Sequence, residues 1–271
     1  MPKLKNISFV MPVRDEEPYL RTAIESVFAQ QVPGKMELIL AIAPSKDKTM
    51  DIALGLAKEF GEKLQIVENP KGITPVALNL AIEKAQYEVV LRVDAHSELS
   101  EGYAKLAVEI LNETGAANVG GMMVAKGKSD FQAAVAFGYN DRIGLGGGAF
   151  HVGGEPGPKE TVYLGVFRKS VLDELGGFDP EWVRGQDWEL NQRIRKAGYQ
   201  VWFDSRLQVG YYPRSSWEEL ARQFFKTGRW RGALTRNNPA DSSVRYWIPP
   251  VFVLSLVWGF PIGVYLLGLA I

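Results

Sequence analysis

Glu88-Val-Val-Leu-Arg-Val-Asp-Ala-His-Ser-Glu98 is the stretch that decides the fold. A largely apolar run, Val89 to Val93, ends abruptly in Asp94-Ala95-His96. That pattern predicts a buried strand delivering a carboxylate and an imidazole, one residue apart, to its end. Both are metal-ligand types, so the strand end is a candidate place for a cation and a phosphate.

Working outward, the same punctuation recurs. Ile7 to Val13 reads as a strand with Pro12 near its end, and Arg14-Asp15-Glu16-Glu17 follows it. Leu20, Ala23, Ile24, Val27 and Phe28 then recur at helical spacing. Glu37 to Ile42 is a second strand, Leu64 to Val67 a third, and each is followed by a polar turn. Ile52, Leu56 and Phe60 mark a helix between them. Thr74 and Pro75 suit the N-cap and first turn of another, running to Ala85. Strands alternating with helices predict an α/β fold with a mainly parallel sheet covered on both faces. Ligands in such sheets bind beyond the carboxyl ends of the strands. The rule brings Pro12 to Glu16, Ala43 to Ser45, Asn69 to Gly72 and Asp94 to His96 to one edge, where a nucleotide could sit. No glycine-rich dinucleotide fingerprint or phosphate-loop lysine motif occurs in the first turn, which disfavours a dehydrogenase or P-loop enzyme.

Composition narrows the classes further. The 271 residues carry a formal net charge of zero, so no global field favours nucleic acid as a partner. The absence of cysteine excludes disulfides, thiolate metal sites and cysteine nucleophiles. Beyond residue 117 the pattern changes: Asn118 to Ala125, Val162 to Phe167 and Tyr199 to Phe203 read as strands. Residues 144–157 are glycine-rich and contain His151. Gly185-Gln186-Asp187 opens a helix carrying Leu190 and Ile194, with Gly198 at its stop. Ser216 to Glu219 reads as a capping box for a later helix.

Taken together, Val10-Met-Pro-Val-Arg-Asp-Glu16, Arg92-Val-Asp-Ala-His96, Phe167-Arg168 leading to Gly176-Gly-Phe-Asp179, Gln186-Asp-Trp-Glu-Leu-Asn191 and Gly228-Arg-Trp-Arg231 resemble the family-2 glycosyltransferases of the GT-A fold. The likeness runs from Ile7 to Trp230 and is nearest the branch of the succinoglycan-biosynthesis glucosyltransferase. It implies that Asp94 and His96 stand at the family's Asp-x-Asp position and hold a divalent ion, Mn²⁺ or Mg²⁺, against the diphosphate of a nucleoside-diphosphate sugar. Imidazole in place of a second carboxylate shifts preference towards Mn²⁺. His151 is a candidate third ligand, carried by a glycine-rich lid over residues 144–157.

Asp187 matches the family's catalytic aspartate, which takes the proton of the acceptor hydroxyl in inverting transfer. It is expected at a helix N-terminus, where the dipole favours an anion, and a plain N-cap role fits the same place. Pro12, Arg14, Glu16 and Lys71 are expected to line the nucleotide pocket, with Asp94. Arg229-Trp230 resembles the end of the Gln-x-x-Arg-Trp motif, near the diphosphate and acceptor, although Lys226 replaces the glutamine. A basic helix facing anionic lipid is the alternative. Where the family carries Asp-Asp-Gly-Ser-x-Asp, this chain has Ile42-Ala-Pro-Ser-Lys-Asp47, so a side-chain carboxylate for uracil is lost there. Asp47 or Arg14 is a possible substitute.

From Tyr246 to Ile271 there is no charged residue, and about 20 apolar residues span a bilayer core. A glycosyltransferase domain over 1–240 and a transmembrane segment over 241–271 are expected. A buried terminal helix is the alternative. Arg229, Arg231, Arg236 and Arg245 before the segment predict an inner-membrane protein with its catalytic domain on the cytoplasmic face. The acceptor would be a lipid-linked or polysaccharide glycan. A sugar-nucleotidyltransferase, or a degenerate transferase domain serving as a membrane scaffold, are the rival readings.

Overall fold

Ile7–Val13 (β1) is buried almost along its whole length because both faces of its sheet are covered. Phe9, Met11 and Val13 point to one core, while Val10 points to a second. That is why the run shows no polar alternation. The computed structural model describes residues 3–142, 149–237, 247, 250–256 and 258–259.

The first half follows the strand–helix alternation. Leu20–Phe28 (α1), Met36–Ile42 (β2), Thr49–Phe60 (α2), Leu64–Glu68 (β3), Thr74–Lys84 (α3) and Val89–Arg92 (β4) succeed β1 in order. A 3-10 turn, Gly61–Lys63, separates α2 from β3. Ile73 takes the cap position of α3, and Thr74 is already its first residue, with Pro75 in the first turn. The remainder comprises Ser97–Leu99 (β5), Tyr103–Thr114 (α4), Asn118–Ala125 (β6), Asp130–Asn140 (α5), Ala149–Val152 (α6), Gly157–Pro158 (β7), Tyr163–Arg168 (β8), Lys169–Leu175 (α7), Gln186–Lys196 (α8), Val201–Tyr211 (β9) and Trp217–Asn237 (α9).

The strands form one nine-stranded sheet in the order β3-β2-β1-β4-β8-β6-β9-β5, with β7 on β9. The first four are mutually parallel. The sheet is nevertheless mixed: β8 runs antiparallel between β4 and β6, and β5 and β7 run antiparallel to β9. Helices α1, α2 and α4 cover one face through Leu20, Ile24, Val27, Leu56, Ala107 and Leu111. On the other face Leu78 of α3, Leu172 of α7 and Leu190 and Ile194 of α8 pack on Ile39, Val90 and Phe203. Each such aliphatic side chain contributes about 1.5–3 kcal/mol on burial.

Strand β6 shifts register against β9 between Gly120 and Met122. A Cβ at Gly121 would lie 1.8 Å from the Leu207 carbonyl oxygen, so the two backbones approach more closely than any side chain allows.

The chain divides into two compact units, Met1–Ser216 and Trp217–Ile271. Among the described residues no helix is long and apolar enough to cross a membrane. Of the segment read as transmembrane, residues 241–246, 248–249, 257 and 260–271 lie outside the described residues. The described part, from Val251 to Leu256, is helical and its apolar side chains are exposed.

Candidate active site

Strand β4 stops at Arg92, and the chain turns at once. The Ser97 amide and hydroxyl both donate to the Asp94 carbonyl, at 3.0 and 2.7 Å, closing a tight turn that sets Asp94 and His96 at the sheet edge. Arg92 is 5% exposed. A buried guanidinium needs counterions, and it finds two. Its Nε and Nη2 donate to Asp94 Oδ1 at 3.1 and 2.9 Å, and its Nη1 donates to Asp187 Oδ1. Asp187 lies in the first turn of α8, whose cap position belongs to Gly185 at φ 74°. The N-cap role for Asp187 is thereby excluded: its carboxylate faces Arg92.

His96 Nδ1 donates to Glu16 Oε1 at 2.8 Å. An ionised carboxylate only accepts, so the proton sits on Nδ1 and Nε2 is left outward. Burial pulls the imidazole pKa down, but the bond to Glu16 and the charges of Asp94 and Glu16 outweigh it and leave it above its ordinary value. Glu16 is therefore the partner of His96, a role not anticipated for a residue expected to line the nucleotide pocket. The ring of Tyr211 meets His96 edge-on at 6.4 Å and stacks on Tyr139 at 6.1 Å.

The neighbouring loops are knitted together. Asp15 accepts from the Lys46 amide at 2.7 Å, and Glu17 accepts from the Lys48 amide at 3.0 Å. Both oxygens of Asp47 are engaged, by the Glu17 amide and by Thr49. Asp47 thus ties the two loops together. Arg14 Nη1 donates to the Gly72 carbonyl at 3.3 Å, while Lys71 is exposed on the same loop and Pro12 is half-buried on β1. Pro12, Arg14 and Lys71 therefore stand on the expected edge.

Tyr163 was not singled out by sequence reasoning. Burial pushes its hydroxyl pKa well above the ordinary value, with Asp94 and Asp187 adding to the shift and Arg92 opposing it, so the phenol stays protonated beside the two carboxylates. The next residue, Leu164, adopts φ 43°, a costly conformation for a branched side chain. The buried Tyr103 hydroxyl donates to the Leu164 carbonyl at 3.2 Å and helps hold it there. Nothing in the local pattern of a strand reports such a backbone turn.

His151 sits on the short helix α6 with its ring 4.3 Å from that of Phe150. Among the described residues no three His, Cys, Asp or Glu side chains converge to hold a metal, so in this structure His151 is not gathered with Asp94 and His96. α6 packs on β6, with Gly153 against Met122. Residues 143–148 of the glycine-rich stretch read as a lid lie outside the described residues. Arg229 and Trp230 lie on α9 in the second unit.

Residues 8–176 match the family model described as glycosyl transferase family 2. The chain belongs to that family. The succinoglycan biosynthesis protein ExoA of Rhizobium meliloti (strain 1021) is 31% identical over 242 residues, 89% of this chain and 73% of ExoA. A Methanococcus voltae protein, dolichyl N-acetyl-alpha-D-glucosaminyl phosphate 3-beta-D-2,3-diacetamido-2,3-dideoxy-beta-D-glucuronosyltransferase, is 26% identical over 98% of this chain and 80% of its own length. Among solved structures, the mannosyltransferase PcManGT of Pyrobaculum calidifontis in complex with GDP-Man and Mn²⁺ superposes with a TM-score of 0.66 at 16% identity, covering 92% of this chain and 68% of that one. S. aureus TarS 1-349 in complex with UDP gives 0.54 at 16% identity, covering 76% and 60%. At those identities the superpositions establish the GT-A-like fold alone.

For a family 2 glycosyltransferase the donor set at this edge fits a divalent cation. Asp94 Oδ2 and His96 Nε2 carry no bond among the described residues. Glu16 behind the imidazole is the arrangement that orients metal-bound histidines. Two protein ligands suffice for Mg²⁺ or Mn²⁺ when substrate phosphates and water supply the rest, and a three-residue cage is not needed.

Proposed function

We propose that this enzyme is an inverting, metal-dependent glycosyltransferase that moves a sugar from a nucleoside-diphosphate sugar to a hydroxyl of a lipid-linked or polymeric glycan. The observation that carries the reading is the Arg92 bridge: Arg92 binds Asp94 on β4's turn and also Asp187 on α8, 95 residues further along the sequence from Arg92. Asp94 and His96 would hold Mn²⁺ or Mg²⁺, which supplies charge neutralisation on the leaving diphosphate. Asp187 Oδ2 takes the proton from the acceptor hydroxyl as that oxygen attacks the anomeric carbon. The new oxygen–carbon bond forms as the bond from the anomeric carbon to the phosphate oxygen breaks, and the nucleoside diphosphate leaves with the electron pair. Attack from the opposite face inverts the anomeric centre.

Pro12, Arg14 and Lys71 would line the nucleotide side, while for Arg229-Trp230 the diphosphate and acceptor role rests on the family resemblance alone. With Ile42 and Ala43 in place of acids and Asp47 engaged by its own loop, the base would be read chiefly through backbone groups. The relatives' roles by name, succinoglycan biosynthesis and glucuronosyl transfer to dolichyl N-acetyl-glucosaminyl phosphate, support the acceptor class. The reading includes a transferase domain over 1–240 and a membrane segment over 241–271, supported by the uncharged stretch from Tyr246 to Ile271, with the catalytic domain on the cytoplasmic face of the inner membrane, supported by Arg229, Arg231, Arg236 and Arg245. The exposed Val251, Phe252, Leu254 and Trp258 support that attachment. Family membership displaces the nucleotidyltransferase reading, and the intact Asp94, His96 and Asp187 weigh against a scaffold.

The test is sugar transfer from a panel of uridine and guanosine diphosphate sugars, with the anomeric configuration of the product read by NMR. Transfer abolished by EDTA and restored by Mn²⁺ is expected. Undiminished turnover in chelator, or a product of retained configuration, overturns the reading.

A further inference from the structure

Arg92 does more than a simple buried ion pair requires. One carboxylate would balance its charge, yet its fork is shared between two, delivered by separate elements. The three donor atoms reach only one oxygen of each, Asp94 Oδ1 and Asp187 Oδ1. The fork therefore fixes which oxygen of each carboxylate remains outward. The planar guanidinium has donors in a rigid array, so it also sets the distance between the two acids. Its side chain is 6% exposed, against 19% for Asp94 and 35% for Asp187, so the cation lies behind the acids and they face the open side.

Resting on the metal-dependent reading above, we propose that Arg92 is a positioning residue with two linked effects. It holds the base at a set spacing from the cation-binding carboxylate, and it competes with that cation for Asp94. No further residue of the described site is bonded to both acids, so cation capture and base alignment are coupled through this one side chain.

The experiment uses the full chain and two variants. Arg92→Met removes the competing charge, so Mn²⁺ titrated with UDP or GDP present and followed by electron paramagnetic resonance should bind at least about threefold more tightly. In the same variant kcat should fall about 100-fold, with the donor KM changed less than about threefold, because the base is misplaced. A merely structural role would not tighten the metal. Arg92→Lys keeps a positive charge and so guards against loss of the fold, but one ammonium cannot set two carboxylates. It should lose about tenfold in kcat while Mn²⁺ affinity stays within about twofold. Folded Arg92→Met with unchanged or weaker Mn²⁺ binding, or Arg92→Lys with full kcat, overturns the proposal alone. An unmodified protein that takes up no Mn²⁺ overturns the metal reading and this proposal with it.

Discussion

His96 and Glu16, 80 residues apart in sequence, share a 2.8 Å hydrogen bond. β1 and β4 are parallel neighbours, so the loops leaving their ends meet, and the glutamate closes behind the imidazole. The pair accounts for the orientation of a histidine whose Nε2 faces the candidate cation site.

Glu16→Gln keeps the size of the side chain but removes the charge behind His96. Loss of such a partner costs about 10–100-fold in metal affinity. Mn²⁺ titration of the variant in the presence of a nucleoside diphosphate checks this, and an unchanged dissociation constant would show that Glu16 has no part in orienting His96.

Asp187→Asn keeps a hydrogen-bonding side chain next to Arg92 but cannot take a proton. The expected loss in kcat is about 10²–10⁴-fold, with donor binding nearly intact. Single-turnover kinetics alongside calorimetric titration of the donor separates the two, and full turnover removes Asp187 from the mechanism.

Gly121→Ala places a methyl group where only 1.8 Å separates the Cβ from the Leu207 carbonyl oxygen. Backbone on both sides cannot yield like a flexible side chain. A loss of about 3 kcal/mol or more is expected, at the upper end of overpacking costs. Denaturant unfolding measures it, and wild-type stability would mean that β6 and β9 separate freely there.

Glu88 governs part of the acid response. Burial pushes its carboxyl pKa up, but its bonds from the Lys5 and Asn6 amides and the Asn6 side chain outweigh that and hold it below the ordinary value. A lowered folded value contributes stability that is complete above the unfolded value of about 4.3. That contribution is lost as pH falls through the lower folded value. Glu88→Gln should therefore be less stable than the parent at pH 7, with the difference shrinking below about pH 4. Thermal melts of both proteins across pH 2.5–7, about the range the two forms titrate over, decide it; a pH-independent difference removes the linkage.

Much of the first half was legible in the sequence because its information is local. Ile7 to Val13, Glu37 to Ile42 and Val89 to Val93 show the largely apolar character of strands covered on both faces, broken only at Ser8, Glu37 and Arg92. Leu20, Ile24 and Val27 show the spacing of a helix resting on them. Alternation of the two implies parallel strands, and parallel strands bring their following loops to one edge. Asp94, His96 and Asp187 were nameable because a strand end and a helix start carried acids in recognisable company. The second half was harder: α5 and α7 have weaker patterns, and no local signal says that β8 inserts antiparallel between β4 and β6.

What the sequence by itself determined is the identity of the chemical groups, Asp94, His96 and Asp187, and the elements that carry them, since period and punctuation are properties of neighbouring residues. What only the tertiary structure decided is how those groups are paired: Glu16 behind His96, Arg92 between Asp94 and Asp187, and Tyr163 beside them. Those pairings join segments 80 and 95 residues apart. They depend on strand order and register, and on a buried charge taking the counterions that the fold brings within reach.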